Sequence, residues 1–600
     1  MFPADPLAQP QQKIKMKNFL IFIKSVSLAV FLVLAVCLPE VSAAPEIINS
    51  QSSDKILSYL MVSNADIKHY KKIFRAVKAG DFEAADEEIE ELDNDILMGN
   101  VLAEKYLSDS YRSRFDELKA WLDRYTDHPQ AARIYRLALR KGKASDLTCP
   151  YDENKRQAGF YAWQDTDLSK LSPADKKFVR QKVSLFRKSI NRGKTKVARL
   201  VLENQRFKKL VPNRDLDAMA ATLSMKYLLD NYDKLAFAWA SKASKRSNDA
   251  TASWVAGLSA WRMKQYKTAS TYFSRLARSG NSDEWLVSAG AYWAYRANDM
   301  RRQREAAAKW LKIASRYKRT FYGILANYRL GNSLNYNWTA LSYLNDFRQD
   351  DYIDEIMASP AIRRALLLLY AKQPELAEKE LRHAYEEMND KQKEVTLFIA
   401  DQYKMHALSI MISNQLKDEE HDIAYDAIAY PIPSWKPRGG WKVEKALILA
   451  LTRQESSFSP QARSAAGACG LMQLLPNTAF HITKDRRLKN NITPLLDAEY
   501  NMALGQQYVN YLLEKPFIDG NLFYMMTAYN AGPGNLVKWQ KNTRYNNDPL
   551  LFIEVIPARE TRIYIERVMA NLWIYQSRFG QELSGIRALG KGQWPMLKEK

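Results

Sequence analysis

Glu455 has the surroundings that most suggest chemistry. It lies four residues after Leu451 and seven after Ile448, in a segment where Val443, Ala446, Leu447, Ile448, Ala450 and Leu451 predict a helix from near Gly440 to about Ser456. That spacing puts the carboxyl on a face shared with large apolar side chains, close to the helix C-terminus. Desolvation there raises a carboxyl pKa, and the negative end of the helix dipole acts in the same direction. A carboxyl kept neutral near pH 7 can give its proton to the leaving oxygen of a glycosidic bond. The alternative is a buried glutamate satisfied by backbone donors or by a neighbouring arginine, and the helix alone does not choose between them.

Glycosidases ordinarily use two carboxylates, one as acid and one as base or nucleophile. After Glu455 the next acidic residue is Asp485, and the Ser-, Ala- and Gly-rich stretch from Ser456 to Gly470 contains none. Unless a partner comes from elsewhere in the chain, one carboxyl must act first as acid and then as base. The substrate must then supply the nucleophile, which favours an intramolecular transfer.

Four blocks around this residue occur in order: Arg453-Gln454-Glu455-Ser456; Gly467-Ala468-Cys469-Gly470-Leu471-Met472-Gln473-Leu474-Leu475-Pro476; Ala528-Tyr529-Asn530-Ala531-Gly532-Pro533-Gly534; and Ile556-Pro557 followed by Glu560-Thr561-Arg562. Together they resemble the catalytic domain of soluble lytic transglycosylases, which has a goose-type lysozyme-like fold. The resemblance implies cleavage of the β-1,4 bond between N-acetylmuramic acid and N-acetylglucosamine in peptidoglycan, with a 1,6-anhydro product. Glu455 is then acid and base in turn, and the muramoyl N-acetyl group stands in for a second carboxylate. Ser464 matches a residue that orients that N-acetyl group, and Gln473 and Tyr529 match residues lining the sugar cleft. Asn530 is a sugar contact, and Arg453 and Glu560 match positions that touch the peptide stem. The competing structural roles are a helix cap for Ser464, a core amide for Gln473 and a core aromatic for Tyr529. For Asn530 the alternative is a local turn, and for Arg453 with Glu560 an ion pair. Met472 reads as core. Cys469 stands in the Gly-rich turn, and Leu475 takes a place where the family often has Met, a change expected in packing more than in chemistry.

Elements long enough to hold these residues are helical. From about 55 to 425 apolar residues recur at three and four spacing with little alternation, which predicts an all-α protein. Ala256-Gly257 and Ala289-Gly290 repeat 33 residues apart, each within an aromatic helix, with Tyr266, Ala269 and Phe273 between them at helical spacing. This is the texture of helical hairpins stacked into a superhelix, where small residues let helices approach. The segment from Phe321 to Ala326 with the trailing Leu330-Gly331 also resembles the ring-shaped superhelical region of the same family. The acidic run from Asp81 to Asp95, with Glu83, Asp86, Glu87, Glu88, Glu90 and Glu91 among it, reads as a solvated helix face. Near 429 the texture changes, with Pro431, Pro433, Pro437, Gly439 and Gly440 around Trp435 marking a linker. The expected organisation is a signal peptide at 1–43, a superhelical domain at 44–345, a helical linker domain at 346–428 and a lysozyme-like catalytic domain at 429–600.

Composition agrees with this class. Gly and Pro, 22 of each in 600 residues, are too few for a turn-rich β protein. A formal charge of +22, spread along the chain, suggests a basic surface facing a polyanion. Lys13, Lys15, Lys17 and Lys24 ahead of an apolar run to Leu38, then Val41-Ser42-Ala43, form a secretory signal cut after Ala43, with Met16 as an alternative start. Export to the periplasm disfavours nucleic acid and moves a wall polymer forward. Cys149 and Cys469 fall in different domains, so nothing requires a disulfide, and the six His have no ligand spacing for zinc. The expectation is therefore a monomer without cofactor or metal. It acts on peptidoglycan glycan strands and stem peptides, touches the wall peripherally and works alongside wall-synthesis proteins. Two rivals remain: a muramidase that uses water, and a helical scaffold whose catalytic domain is degenerate.

Overall fold

In the computed structural model the described residues are 57–143, 147, 150, 168–280, 283–338, 352–415 and 426–597. The expected signal segment, Cys149 and the boundary near 345 lie outside them. Among the described residues the fold is all-α: there are no strands, only isolated bridges such as Arg463 with Cys469 and Cys469 with Leu474. No helix among them is long and apolar enough to cross a membrane.

The arm is a run of antiparallel helices joined by one recurring turn. Seven of the turns pass through a left-handed residue, at Gly80, Gly193, Asn231, Lys264, Arg302, Lys372 and Lys404, and there the next helix begins almost at once. At three of these turns the bonds run Asn231 N–H to Leu228 O and Tyr232 N–H to Tyr227 O, Lys264 to Trp261 and Gln265 to Ala260, Arg302 to Asp299 and Gln303 to Asn298, all 2.8–3.0 Å. Such crossed bonds satisfy the orphan carbonyls of the ending helix and reverse the chain in two residues. The two Ala-Gly pairs have a visible purpose. A Cβ on Gly257 would lie 2.5 Å from the Phe273 ring, and one on Gly290 would lie 2.9 Å from Leu276. Helix Tyr266–Ala277 is thus pressed between Ala250–Arg262 and Glu284–Asp299, and glycine is the side chain that lets all three touch.

The chain closes on itself. Residues 57–101 share a continuous apolar core with 356–428, including Tyr70, Ile73, Leu366, Leu367 and Phe398. Buried Glu380 accepts from Asn100 Nδ2 at 2.6 Å and pairs with Arg364 at 2.8 Å, while Arg364 also reaches Asp127. The segment expected as a linker domain therefore shares its core with the first helices of the arm. The acidic run lies on a solvated helix face, as expected, with Glu83, Asp86, Glu87, Glu90 and Glu91 exposed. Glu88 binds His69 and Lys72, at 2.7 and 2.8 Å, and Asp86 binds Lys105.

A second, larger core joins residues 179–326 to the C-terminal domain. The Phe321–Leu330 helix makes this joint. Thr320 caps it by accepting from Gly323 N–H at 3.1 Å, and Gly331 ends it with φ 71°. Phe321 stacks on Trp573 at 5.2 Å, and Tyr322 donates to buried Glu554 while accepting from Trp293 Nε1. Ion pairs Arg296–Asp548 and Arg544–Asp233 reinforce the seam.

Candidate active site

The helix that carries Glu455 spans Lys445–Ser456, so it starts later than the spacing alone predicts. Gly439 and Gly440 both take left-handed φ, 81° and 79°, which no helix accepts, and Gln506 bonds Gly440 O and Lys442 N–H to hold that turn. The helix is buried along Ala446–Thr452 and packs on the long C-terminal helix Arg559–Arg578. It ends as predicted, on Ser457 and Phe458 with φ 50° and 64°, and buried Phe458 anchors that sharp exit. Left-handed non-glycine residues in succession cost roughly 1–3 kcal/mol each, so the surrounding packing fixes this exit against strain.

Glu455 itself is half-buried, on the last turn. Tyr564, from the C-terminal helix, donates its hydroxyl to Glu455 Oε1 at 2.6 Å. Burial pushes the carboxyl up to about 7, outweighing the Tyr564 hydrogen bond that lowers it, and the charge of Glu560 raises it further. At that pKa a large share is protonated at neutral pH, which is the state a general acid needs. The two tyrosines are driven the opposite way from reactivity. Burial and the nearby Glu455 charge hold Tyr529 and Tyr564 well above the usual phenol range, so both remain donors. Among the described residues the hydrogen bond to Glu455 comes from a phenol, and not from an arginine or a backbone donor.

The loop after the helix is built by the block Gly467–Pro476. Gly470 has φ 77°, and a Cβ there would lie 2.1 Å from Leu495 O. Asn501 clamps this turn, donating to Cys469 O and Leu495 O at 3.0 and 2.8 Å and accepting from Met472 N–H at 2.8 Å. Ser456 ties the helix to it through Leu471 O at 2.7 Å. Met472 is fully buried against Gly505, and Cys469 is buried. Leu475 is 42% exposed, so its side chain is not part of the core.

The residues singled out from the sequence separate into two groups. Tyr529 and Glu560 come to Glu455. Tyr529 is set by a 2.8 Å bond from its hydroxyl to Met472 O and by its ring against Tyr508, and Glu560 is exposed on the first turn of the C-terminal helix. Asn530 accepts from the Thr561 hydroxyl at 2.6 Å, which fixes its amide across two helices and not within its own turn. Gln473, at φ 46°, donates to Ala462 O and Gly470 O at 3.1 and 2.9 Å and so supports the loop from within. Ser464 is exposed and accepts from Ala468 N–H at 3.0 Å; it closes a turn in a non-helical stretch, so the helix-cap role does not apply. Arg453 is elsewhere. It lies two residues before Glu455 and so on another face of the helix. It donates to Ala429 O at 2.8 Å and Asn571 Oδ1 at 3.1 Å and covers the Tyr430 ring at 4.2 Å, with no ion pair to Glu560. Its guanidinium ties the helix to the linker residues Ala429 and Tyr430. Asp485 is bound to Arg487, 2.8 Å away, on the surface.

Sequence reasoning missed Tyr564, Asn501 and Thr561. Tyr564 lies four residues after Glu560, and only the observed helix Arg559–Arg578 puts the two on one face. Asn501 carried no signal in the sequence.

The described residues thus form a helical superhelix joined to a compact lysozyme-like helical domain, with Glu455 beside Tyr564 and Tyr529. Residues 435–552 match the family described as Transglycosylase SLT domain. The chain is 28% identical over 315 residues to the soluble lytic murein transglycosylase of Salmonella typhimurium, a match covering 52% of this chain and 46% of that relative. The matched stretch is thus about half the length of the curated relative. By fold it is similar to the 70 kDa soluble lytic transglycosylase of Escherichia coli, with TM-score 0.56 and 18% identity over 86% of this chain and 97% of that one. The lytic transglycosylase Slt of Pseudomonas aeruginosa, solved as an inactive mutant, gives TM-score 0.53 and 18% identity, covering 90% and 91%.

Proposed function

We propose that this protein is a lytic transglycosylase of peptidoglycan that cleaves the N-acetylmuramic acid–N-acetylglucosamine bond without water. The observation that carries this reading is the Glu455 carboxyl, raised to about 7 by burial and held by Tyr564 in a matched domain. Protonated Glu455 gives its proton to the glycosidic oxygen as the bond to C1 breaks. The muramoyl N-acetyl carbonyl stabilises the cation that develops at C1. The C6 hydroxyl then attacks C1, and the Glu455 carboxylate takes its proton, which closes a 1,6-anhydro ring and restores the acid. Tyr529, Asn530 and Gln473 frame the sugar, and Ser464 lies on the loop facing it. No metal or cofactor enters these steps. The segment 1–43 would deliver the enzyme to the periplasm, and its partners there are glycan strands and stem peptides.

A hydrolytic reading has one observation in its favour. Glu560 stands close enough for its charge to raise Glu455, and an exposed carboxylate opposite an acid is what a water-activating base requires. Product masses separate the two. Digestion of purified sacculi is expected to yield anhydro-muropeptides, and reducing ends formed with uptake of water would replace this proposal with the hydrolytic one.

A further inference from the structure

A groove of about 760 Å³ opens on the arm, where helix Ala131–Ala138 meets the segment 106–113. It sits over a small core of its own, in which Leu118, Trp121, Leu122, Ile134 and Ala138 are buried. Arg133, Arg136 and Arg140 line it at steps of three and four residues, the spacing that sets side chains in a row on one helix face. Lys141 follows them, and Arg112 comes from the other segment. The turn that carries Arg140 and Lys141 is seated on Phe115. Gly142 N–H donates to Ala138 O at 3.0 Å there, and a Cβ on Gly142 would lie 2.2 Å from the Phe115 ring.

All five cations are exposed, and among the described residues none of them pairs with a carboxylate. Arg136 gives only its Nε, to Ala132 O of its own helix at 3.2 Å. The lining holds a single carboxylate, Asp109. Two more on neighbouring elements are already taken: Glu117 accepts from Tyr111 and from Arg114 N–H, and Asp86 is paired with Lys105. Because guanidinium groups stay charged at any physiological pH, the groove attracts anions whatever its surroundings titrate to. Ser113 adds a second sign of a ligand. It lines the groove at 4% exposure, yet its hydroxyl has no hydrogen-bond partner among the described residues. Ser108 accepts from Ser110 N–H at 3.3 Å and keeps its own proton to donate.

The spacing selects among anions. Arg133 to Arg140 covers about 10 Å of helix. An extended acidic peptide presents carboxylates on one face about 7 Å apart, so it offers this row two charges at most. A chain of linked phosphates carries a charge at every link, and arginine forks grip phosphate oxygens in pairs. The volume is that of sites that hold whole organic ligands and not bare ions. We propose that this groove binds an anion carrying several linked phosphates, held by the guanidinium row and by Ser113. The site stands apart from Glu455, and its test does not depend on turnover.

Titration calorimetry of the full chain with tripolyphosphate reads the site directly. Arg136→Gln combined with Arg140→Gln should weaken binding about a hundredfold, about tenfold for each charge-assisted bond removed. Ser113→Ala should weaken it about fivefold, as loss of a neutral hydrogen bond does. Lys208→Gln with Lys209→Gln removes two exposed charges from another arm helix and should leave binding unchanged. Melting curves check that each variant is folded, and Arg112→Gln, with an expected tenfold loss, gives an independent reading should the helix variants melt early. An equal loss in the Lys208 and Lys209 variant overturns the site, because the net charge of the protein would then account for binding. Polyglutamate bound as tightly as tripolyphosphate overturns it in favour of an acidic peptide. Retention on phosphatidylglycerol vesicles without binding of tripolyphosphate overturns it in favour of a membrane surface, and no binding of any of the three removes it.

Discussion

The arm and the C-terminal domain use the same residue types for different ends. In the arm, Gly257 and Gly290 are helical and make room for Phe273 and Leu276, neighbours whose side chains can adjust. In the C-terminal domain, Gly470 takes a left-handed φ with a backbone oxygen 2.1 Å from where its Cβ would be. Polar groups differ likewise. The arm's buried Arg364 and Glu380 pair with each other, whereas half-buried Glu455 accepts from the Tyr564 phenol and lies near the charge of Glu560. A repeat array distributes its stability over many similar interfaces. The site concentrates strain and an expensive carboxyl within a few residues. Function sits where the fold is least comfortable.

Breaking the comparison at its strongest point gives the largest effect. Glu455→Gln should lower sacculus digestion by roughly 10²–10⁴-fold, measured by release of soluble muropeptide, while the circular dichroism spectrum stays helical. The same variant should melt higher in alkaline buffer. A carboxyl raised from 4.5 to about 7 contributes its full stability below the lower value and loses it as pH rises through the upper one. Removing the charge should therefore gain up to about 3 kcal/mol above pH 7 and little at pH 4. A loss of stability at both pH values would mean that the carboxyl is a structural anchor.

Gly470→Ala comes next, at about 3 kcal/mol, because left-handed strain adds to a clash with backbone. Gly257→Ala should cost about 1–3 kcal/mol by overpacking against a ring that can shift, with turnover per folded molecule retained. Chemical unfolding with parallel activity checks the pair. Equal costs would erase the distinction between arm and site.

The smallest effects concern pH and have opposite signs. The rate is expected to fall as pH rises through about 7, when Glu455 loses its proton. Tyr564→Phe deletes the bond that lowers the pKa of Glu455 and should move that limb upward. Glu560→Gln deletes the charge that raises it and should move the limb downward, each by roughly a unit or less. Profiles of kcat/KM against pH decide this, and a shared direction would remove Glu560 from the neighbourhood of the acid.

Much of this was legible in the residues. Helical periodicity gave the all-α class, and the paired Ala-Gly steps marked the helices that approach most closely. The spacing of Glu455 against Ile448 and Leu451 placed a carboxyl on an apolar face, and the helix ends at the predicted place. Its start was missed because two left-handed glycines stop a pattern that apolar spacing alone would extend. The partners of Arg453, Ala429 and Asn571, lie on another face of the helix from Glu455, because two residues turn it by about 200°.

What the sequence determined by itself was local: periodicity, breaks, the chemistry available at each position. Tertiary structure alone decided which groups meet. Tyr564 and Glu560 reach Glu455 from more than a hundred residues away, and residues 57–101 find their core partners beyond 356. A chain specifies such contacts only through the packing of whole helices, because the desolvation that sets a carboxyl's pKa is summed over every neighbour that excludes water.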